Sequence, residues 1–523
     1  MNMMPYLTAG AAFCAWLVTP LVSLHAADYS AEMTASSDWE AAPWTSTPTP
    51  PAAGGPGAED RIVDLKGIDP QSGDSVVRNL YLNGPRTLIS LGKKSAGSMR
   101  IYNGSTAADG DSLLTVTGGI YVETGSLLFR SQGPGHRLTV TAPELVLGTA
   151  AEGDNGRIIL GGNANYRMVS FTVSGTTTIA GYNSNFGLQS DLTAADTHVD
   201  LGHVIFKAGL SPTGSAGLDV QSGVLVVKSL RSEGNEGLSR VSDNSLGGTL
   251  RIDGNLGDPH QPTGANDYGA NLAGTLRVEK TGTNTQIFSR ASGFTYTGGT
   301  LISGGVLSIR NTNHVSSGLG RGDVEIRDGG TLAGNGFVTL RDQGIVTVRE
   351  GGSIAPGAEG TGFNALSIVG YLPEGVREKK LLKMEEGSNF TFRLDASGQS
   401  DEVRLTHYQP GDLILEGGAI AINVDGTLSE GVVYKLFSFW NATYDGGVAT
   451  SSGLSGGLVM GSGFDNMVAT FHYDDIHYGG VGTITMTVAA IPEPRTTALF
   501  SSLAAVLALW KVCNRKSAVS GRR

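Results

Sequence analysis

Leu276-Arg277-Val278-Glu279-Lys280-Thr281-Gly282, followed by Phe294-Thr295-Tyr296-Thr297-Gly298-Gly299-Thr300-Leu301-Ile302, is the stretch that decides the fold. Apolar and charged residues alternate, a glycine pair intervenes, and the alternation resumes. Period two marks a strand with one buried face. The glycine pair supplies backbone freedom for a sharp corner. Moving outward, the phrase returns at Gly247-Gly248-Thr249-Leu250-Arg251-Ile252, Ala273-Gly274-Thr275-Leu276, Gly329-Gly330-Thr331-Leu332, Gly351-Gly352-Ser353-Ile354 and Gly417-Gly418-Ala419-Ile420. Most steps are 22 to 31 residues, and the last is three times the shortest. Such a period predicts a parallel β-solenoid, in which each repeat buries its apolar face against its neighbours. Leu250, Ile252, Leu276, Val278, Val324, Ile326, Val346 and Val348 are expected inside. Arg251, Arg277, Arg327 and Arg349 are expected outside, each beside an Asp or Glu. At about 22 residues per coil, residues 61–490 make about twenty coils.

The bulk numbers agree. Glycine supplies 77 of 523 residues and charged residues only 16%. That suits short strands and tight turns rather than helices, which glycine weakens by about 1 kcal/mol each. Apolar residues at 40% set the chain apart from disordered sequences. A net charge of −11 argues against nucleic acid as a partner. The two cysteines, Cys14 and Cys513, lie near opposite ends and give neither a disulfide framework nor a zinc cluster.

Residues 272–357 resemble the autotransporter-associated β-strand repeat. The likeness runs through Lys280-Thr281-Gly282, Tyr296-Thr297-Gly298-Gly299-Thr300 and Gly305-Val306-Leu307. It continues through Leu319-Gly320-Arg321-Gly322-Asp323-Val324, Gly329-Gly330-Thr331-Leu332-Ala333-Gly334-Asn335-Gly336 and Gly352-Ser353-Ile354-Ala355-Pro356-Gly357. The resemblance implies a right-handed parallel β-helix in an exported surface protein. It departs from autotransporters at the C-terminus, where they carry a membrane β-barrel.

Both ends read as addresses. Residues 1–27 lack Lys, Arg, Asp and Glu, are apolar from Leu7 to Leu24, and offer a small-residue cut site at Ala26-Ala27. They are expected to be a signal peptide. Residues 28–60 are expected to be a Pro/Gly-rich linker, centred on Thr45 to Gly57. At the other end, Pro492-Glu493-Pro494 precedes an apolar run from Thr496 to Trp510. Lys511, Arg515, Lys516, Arg522 and Arg523 follow. The prolines bar a helix across them, so a transmembrane helix is expected to begin after Pro494. This order resembles the PEP-CTERM sorting signal at 491–523. The resemblance implies an exosortase-type enzyme as partner, transient anchoring in the inner membrane, export to the cell surface, and association with extracellular polysaccharide. Removing residues 1–27 and the tail beyond Pro494 would lower the net charge from −11 to about −17.

No catalytic constellation, metal site or cofactor motif stands out. Arg321-Gly322-Asp323 matches an integrin-type tripeptide but sits where the repeat needs a turn. Phe471-His472-Tyr473-Asp474-Asp475-Ile476-His477 gathers titratable groups, yet His472 and His477 are five apart and face opposite sides of one strand. That segment is expected to cap the last coil. Asn-x-Ser/Thr triplets at Asn103, Asn389 and Asn441 carry no meaning without a glycosylating host. The reading is a structural or adhesive surface protein, not an enzyme. The alternative is a carbohydrate-active β-helix lyase or hydrolase, which needs carboxylates converging in one groove.

Overall fold

In the computed structural model the chain is all-β. The structure describes residues 28–491, apart from 34, 36, 48–55, 57–59, 68–76, 105–109, 132–135, 150–154, 162–168, 181–182, 190–196, 208–215, 235–238, 341–343, 358–361, 371–380, 408–418, 441–457 and 475–480. The expected signal and tail helices lie outside the described residues. Among the described residues the only helical turn is the 3-10 turn Trp39–Ala41. Strands form sheets of seventeen, nine, eight and six members, and nearly all pairs are parallel. This arrangement is compatible with a β-solenoid.

Parallel register stacks like on like. In the nine-stranded sheet Met99, Leu127, Ile158, Phe186, Leu218, Val241 and Leu272 lie one above the next. In the longest sheet Leu225, Leu250, Val278, Thr300, Val324, Val346 and Leu382 do the same. All these apolar side chains are buried, each worth about 1.5–3 kcal/mol as an upper bound. The alternation expected from sequence holds in the central coils: Leu276 and Val278 are buried, Arg277 is exposed and Glu279 half-buried.

The glycine pairs divide two tasks. Gly329 adopts a left-handed φ of 75° at the corner. A Cβ on Gly330 would lie 2.4 Å from the carbonyl oxygen of Ile302 in the preceding coil. One residue turns the chain and the other lets two coils approach.

Two expectations are corrected. The low-twenties period belongs to the central repeat, where Val324 pairs with Val346. The next step carries Val346 to Leu382, because a longer excursion intervenes. Among the described residues the nine- and eight-stranded sheets follow one another in sequence and together give seventeen strands, where about twenty coils were expected. Within the expected linker 28–60, residues 28–33, 37–41 and 44–47 are folded, while 48–55 and 57–59 at its Pro/Gly-rich centre lie outside the described residues. Asp28–Met33 pairs antiparallel with Trp44–Thr47 and parallel with Arg61–Gly67. Trp39 is fully buried, 5.2 Å from Trp44 between ring centroids, and Tyr29 meets Trp44 edge-on at 6.3 Å. These aromatics cover the first coil, whose apolar face would otherwise meet water.

Candidate functional site

The repeat builds an outward column on the longest sheet, in which Arg251, Glu279, Leu301, Glu325, Thr347 and Lys383 stand in register. Glu279 accepts from Arg251 and Arg277 at 3.0 Å each. Glu325 bridges Arg327 and Arg349, each at 3.1 Å. Glu385 receives Arg349 and Lys383. Hydrogen bonding from Arg327, joined by Arg349, holds the Glu325 carboxyl below its usual range, although partial burial opposes this. The result is a ribbon of paired charges over Leu301, which their stems shield.

Beside the ribbon lies an open recess of about 690 Å³. Its floor is the turn Thr297-Gly298-Gly299, and its walls include Arg277, Arg321 and Asp323. The floor has no bulk because it cannot: a Cβ on Gly298 would lie 2.2 Å from the carbonyl oxygen of Thr275. Arg277 and Glu325 are committed to the ribbon. Arg321 is exposed, and no carboxylate among the described residues pairs with it. Asp323 uses Oδ1 to accept the Ile345 amide at 3.0 Å. The recess therefore offers a planar donor fork and a carboxylate oxygen two residues apart on a polar, side-chain-poor floor.

The integrin-type tripeptide Arg321-Gly322-Asp323 is the turn entering Val324–Ile326, and it forms one wall of this recess. His472 is exposed and its Nε2 lies 2.8 Å from Thr487 Oγ1. Asp474 ends the same strand, while Asp475 and His477 lie outside the described residues. Asn103 follows the strand Ser98–Tyr102 and donates to the carbonyl of Gly110 across a loop, while Asn389 is a ladder residue that bonds Ser353 and Asn423. Asn441 lies outside the described residues. So do Pro492, Glu493, Pro494, Lys511, Arg515, Lys516, Arg522, Arg523, Cys14 and Cys513.

The structure also assembles groups that sequence reasoning missed. His203 Nδ1 lies 2.8 Å from Ser229 Oγ, and its Nε2 lies 3.6 Å from Asp258. Asp258 pairs with Lys228 at 2.9 Å. A serine, a histidine and an aspartate in contact invite a hydrolase reading, but Ser229 and His203 are both fully buried, so no polymer reaches the hydroxyl. Burial lowers the His203 pKa despite the Asp258 charge, which keeps the ring neutral. The group ties the loop carrying Asp258 to two earlier coils. These residues are 26 to 55 positions apart, and no spacing rule in the sequence links them.

Two lysines are also interior. Lys280 stands between Ile252 and Ile302 in an inner ladder, and its ammonium donates to the carbonyls of Gly282 and Gly304. Lys93 caps Ser95 and Ala96 in the same way. Burial lowers both pKa values to about 8. The alternation around Val278 already put Lys280 inward, which was the available signal. Among the described residues no three His, Cys, Asp or Glu side chains are grouped to hold a metal ion.

A scan against protein-family models, a search of curated proteins and a search of solved structures found no match.

Proposed function

We propose that this protein is an exported, surface-associated structural or adhesive right-handed β-solenoid, sorted through its C-terminal tail by an exosortase-type enzyme. In this reading it lies in contact with extracellular polysaccharide. The observation that carries the binding role is the recess beside the charge ribbon. Its volume falls in the range of small-ligand sites, yet its lining is polar rather than apolar. Arg321 can donate to a sugar diol while Asp323 accepts from it, and the glycine floor lets a ring approach the backbone. Neighbouring coils are about 4.8 Å apart, so a polymer running along the stack meets a similar outward surface coil after coil. Export and sorting rest on the apolar run at 7–24 and on the order Pro492-Glu493-Pro494, apolar run, basic cluster.

The test is a glycan-binding and depolymerisation screen on the full chain, beside an Arg321→Ala, Asp323→Ala double variant. Retained glycan must fall at least tenfold in the double variant, with the melting temperature lowered by no more than the loss of the Ile345 amide bond to Asp323 accounts for, about 1 kcal/mol. Equal retention by both proteins removes the recess from the proposal. Polysaccharide cleavage by the unaltered chain replaces it with the carbohydrate-active enzyme reading.

A further inference from the structure

The last described sheet closes with three antiparallel strands, Val433–Trp440, Val481–Ala490 and Met467–Asp474, the middle one by sequence position lying at the edge. One face of this unit packs on the core through Tyr434, Leu436, Ile484, Met486 and Val488. The other face is open, and its composition changes along its length. Val433 lies opposite Thr487, and Val468 lies opposite Ala489. Ile491 follows two positions after Ala489, so it extends the same face. Its amide bonds the carbonyl of Asn466, which keeps it in the sheet. Val433, Val468 and Ile491 are 56%, 47% and 50% exposed, and Ala489 is exposed as well. Thr470 and Thr487 share the row of Val433, and farther along the same face stand His472, Thr485 and Lys435, so polar residues begin beside Val433 and only Val468, Ala489 and Ile491 form an unbroken apolar end. The apolar end is thus the end from which the chain leaves at Ile491.

Elsewhere among the described residues, Val77, Leu113 and Val315 are exposed singly, while the exposed pair Val459 and Met460 adjoins this unit, the Ala469 amide bonding Met460 Sδ at 3.2 Å. Here several share one face of one sheet, beside the start of the tail. Only Pro492-Glu493-Pro494-Arg495 separates Ile491 from the apolar run Thr496 to Trp510. The five Cα–Cα steps from Ile491 to Thr496 reach at most about 18 Å. If that run is in a bilayer, the apolar end of this face is held within that distance of the lipid headgroups.

We infer that this face is a lipid-contacting foot: while the tail is inserted, Val433, Val468, Ala489 and Ile491 lie against the bilayer surface and set the solenoid's orientation on it. The inference rests on the tail reading proposed above. Four small or medium apolar side chains give weak adsorption by themselves. The short tether makes contact intramolecular, so weak adsorption suffices. Cutting the tail would release the tether and the foot together.

The experiment uses the full chain with Cys14→Ser and Cys513→Ser, reconstituted into phosphatidylcholine vesicles. A nitroxide is placed at Val468→Cys or, as a control on an exposed loop, at Leu256→Cys. Collision with a water-soluble relaxation agent should fall several-fold at position 468 on vesicles relative to the same chain in detergent-free buffer after proteolytic removal of the tail. It should be unchanged at position 256. Vesicle-bound chain whose position 468 stays as accessible as position 256 overturns the foot and leaves the tail reading standing. Chain that does not float with vesicles overturns both. Shielding of position 468 that persists in the tail-less chain and grows with protein concentration assigns the face to a second copy and also overturns the foot.

Discussion

The coils up to Leu188 and those from His203 to Val348 solve the same packing problem with different interiors. In the earlier coils the strands of the longest sheet are long: Ser112–Val122 and Val169–Ile179 have 11 residues each. From Arg78 onward their buried polar groups, among the described residues, are Ser and Thr apart from Lys93 and Asn103. In the later coils Thr300–Ile302 and Val324–Ile326 have 3 residues each. There His203, Asp243, Asn266, Lys280, Asn284, Gln286 and Asn311 are all buried. A short strand satisfies few backbone groups, so the turns around it need other partners. Asp243 shows how this is met. Burial of its carboxyl is outweighed by hydrogen bonds from Thr275 and from the amides of Ser245, Gly247 and Gly248, which hold its pKa low. Gln286 does the same with a neutral amide, bonding the Leu230 amide and the carbonyls of Leu230 and Asn266. The lesson is that where the longest sheet shortens its strands, buried side chains take over part of the hydrogen bonding of the backbone.

The harshest way to break this comparison is to put a charge into each interior. Phe186→Asp lies between Ile158 and Leu218 in the dry ladder, and Ile326→Asp lies in the central one. Each should cost at least about 4 kcal/mol, since an unpaired buried charge has no water. Urea unfolding should lose its cooperative transition or show a collapsed midpoint. A small shift at Ile326→Asp alone would mean that the central polar network absorbs charge, and the contrast would need redrawing.

Next in size is a pH effect that the two regions share. Lys93 and Lys280 are uncharged above about 8 when folded, while the unfolded chain holds those protons to about 10.5. The unfolded state then binds more protons, so stability rises with pH between these values, by about 3 kcal/mol per lysine at most. Above about 10 the direction reverses, because burial raises the pKa of Tyr268 and of Tyr296, and the unfolded chain loses protons first. Melting temperature should climb from pH 8 toward pH 10 and then decline. A flat profile over that window in the unaltered chain would contradict the lysine placement. Lys280→Met should remove about half of the climb.

Gln286→Leu sharpens the contrast at lower energy. It keeps the volume but strands the Leu230 amide and carbonyl, at a cost of about 2 kcal/mol. Stabilisation by this change would show that the buried amide is not satisfying the turn. The smallest expected effect belongs to the surface. Arg327→Ala and Arg277→Ala, both about half exposed in their ion pairs, should each change unfolding free energy by less than about 1 kcal/mol. A loss matching that of Ile326→Asp would invert the assignment of faces.

Much of the fold was legible because strand alternation is local. Leu276, Val278, Val324 and Ile326 face inward as their spacing requires, and Arg251, Arg277, Arg327 and Arg349 face outward. The fold of residues 28–47 was less legible, since prolines and threonines dominated the reading while Tyr29, Trp39 and Trp44 were the informative residues. The recess was half legible: Gly298-Gly299 and Arg321-Gly322-Asp323 both stood out, but nothing in their separation said that one floors the cleft whose wall the other forms.

By itself, then, the sequence determined the strand faces, the corners at glycine pairs and the parallel stacking, because each depends on residues a few positions apart. Only the tertiary structure decided which side chains meet between coils. His203 and Ser229 meet because they are register partners on neighbouring strands, and Asp258 reaches them from a loop; a shift of one residue in either strand would turn its side chain to the opposite face. Register is a property of the whole stack, set by the sum of its turns, and no local pattern contains it.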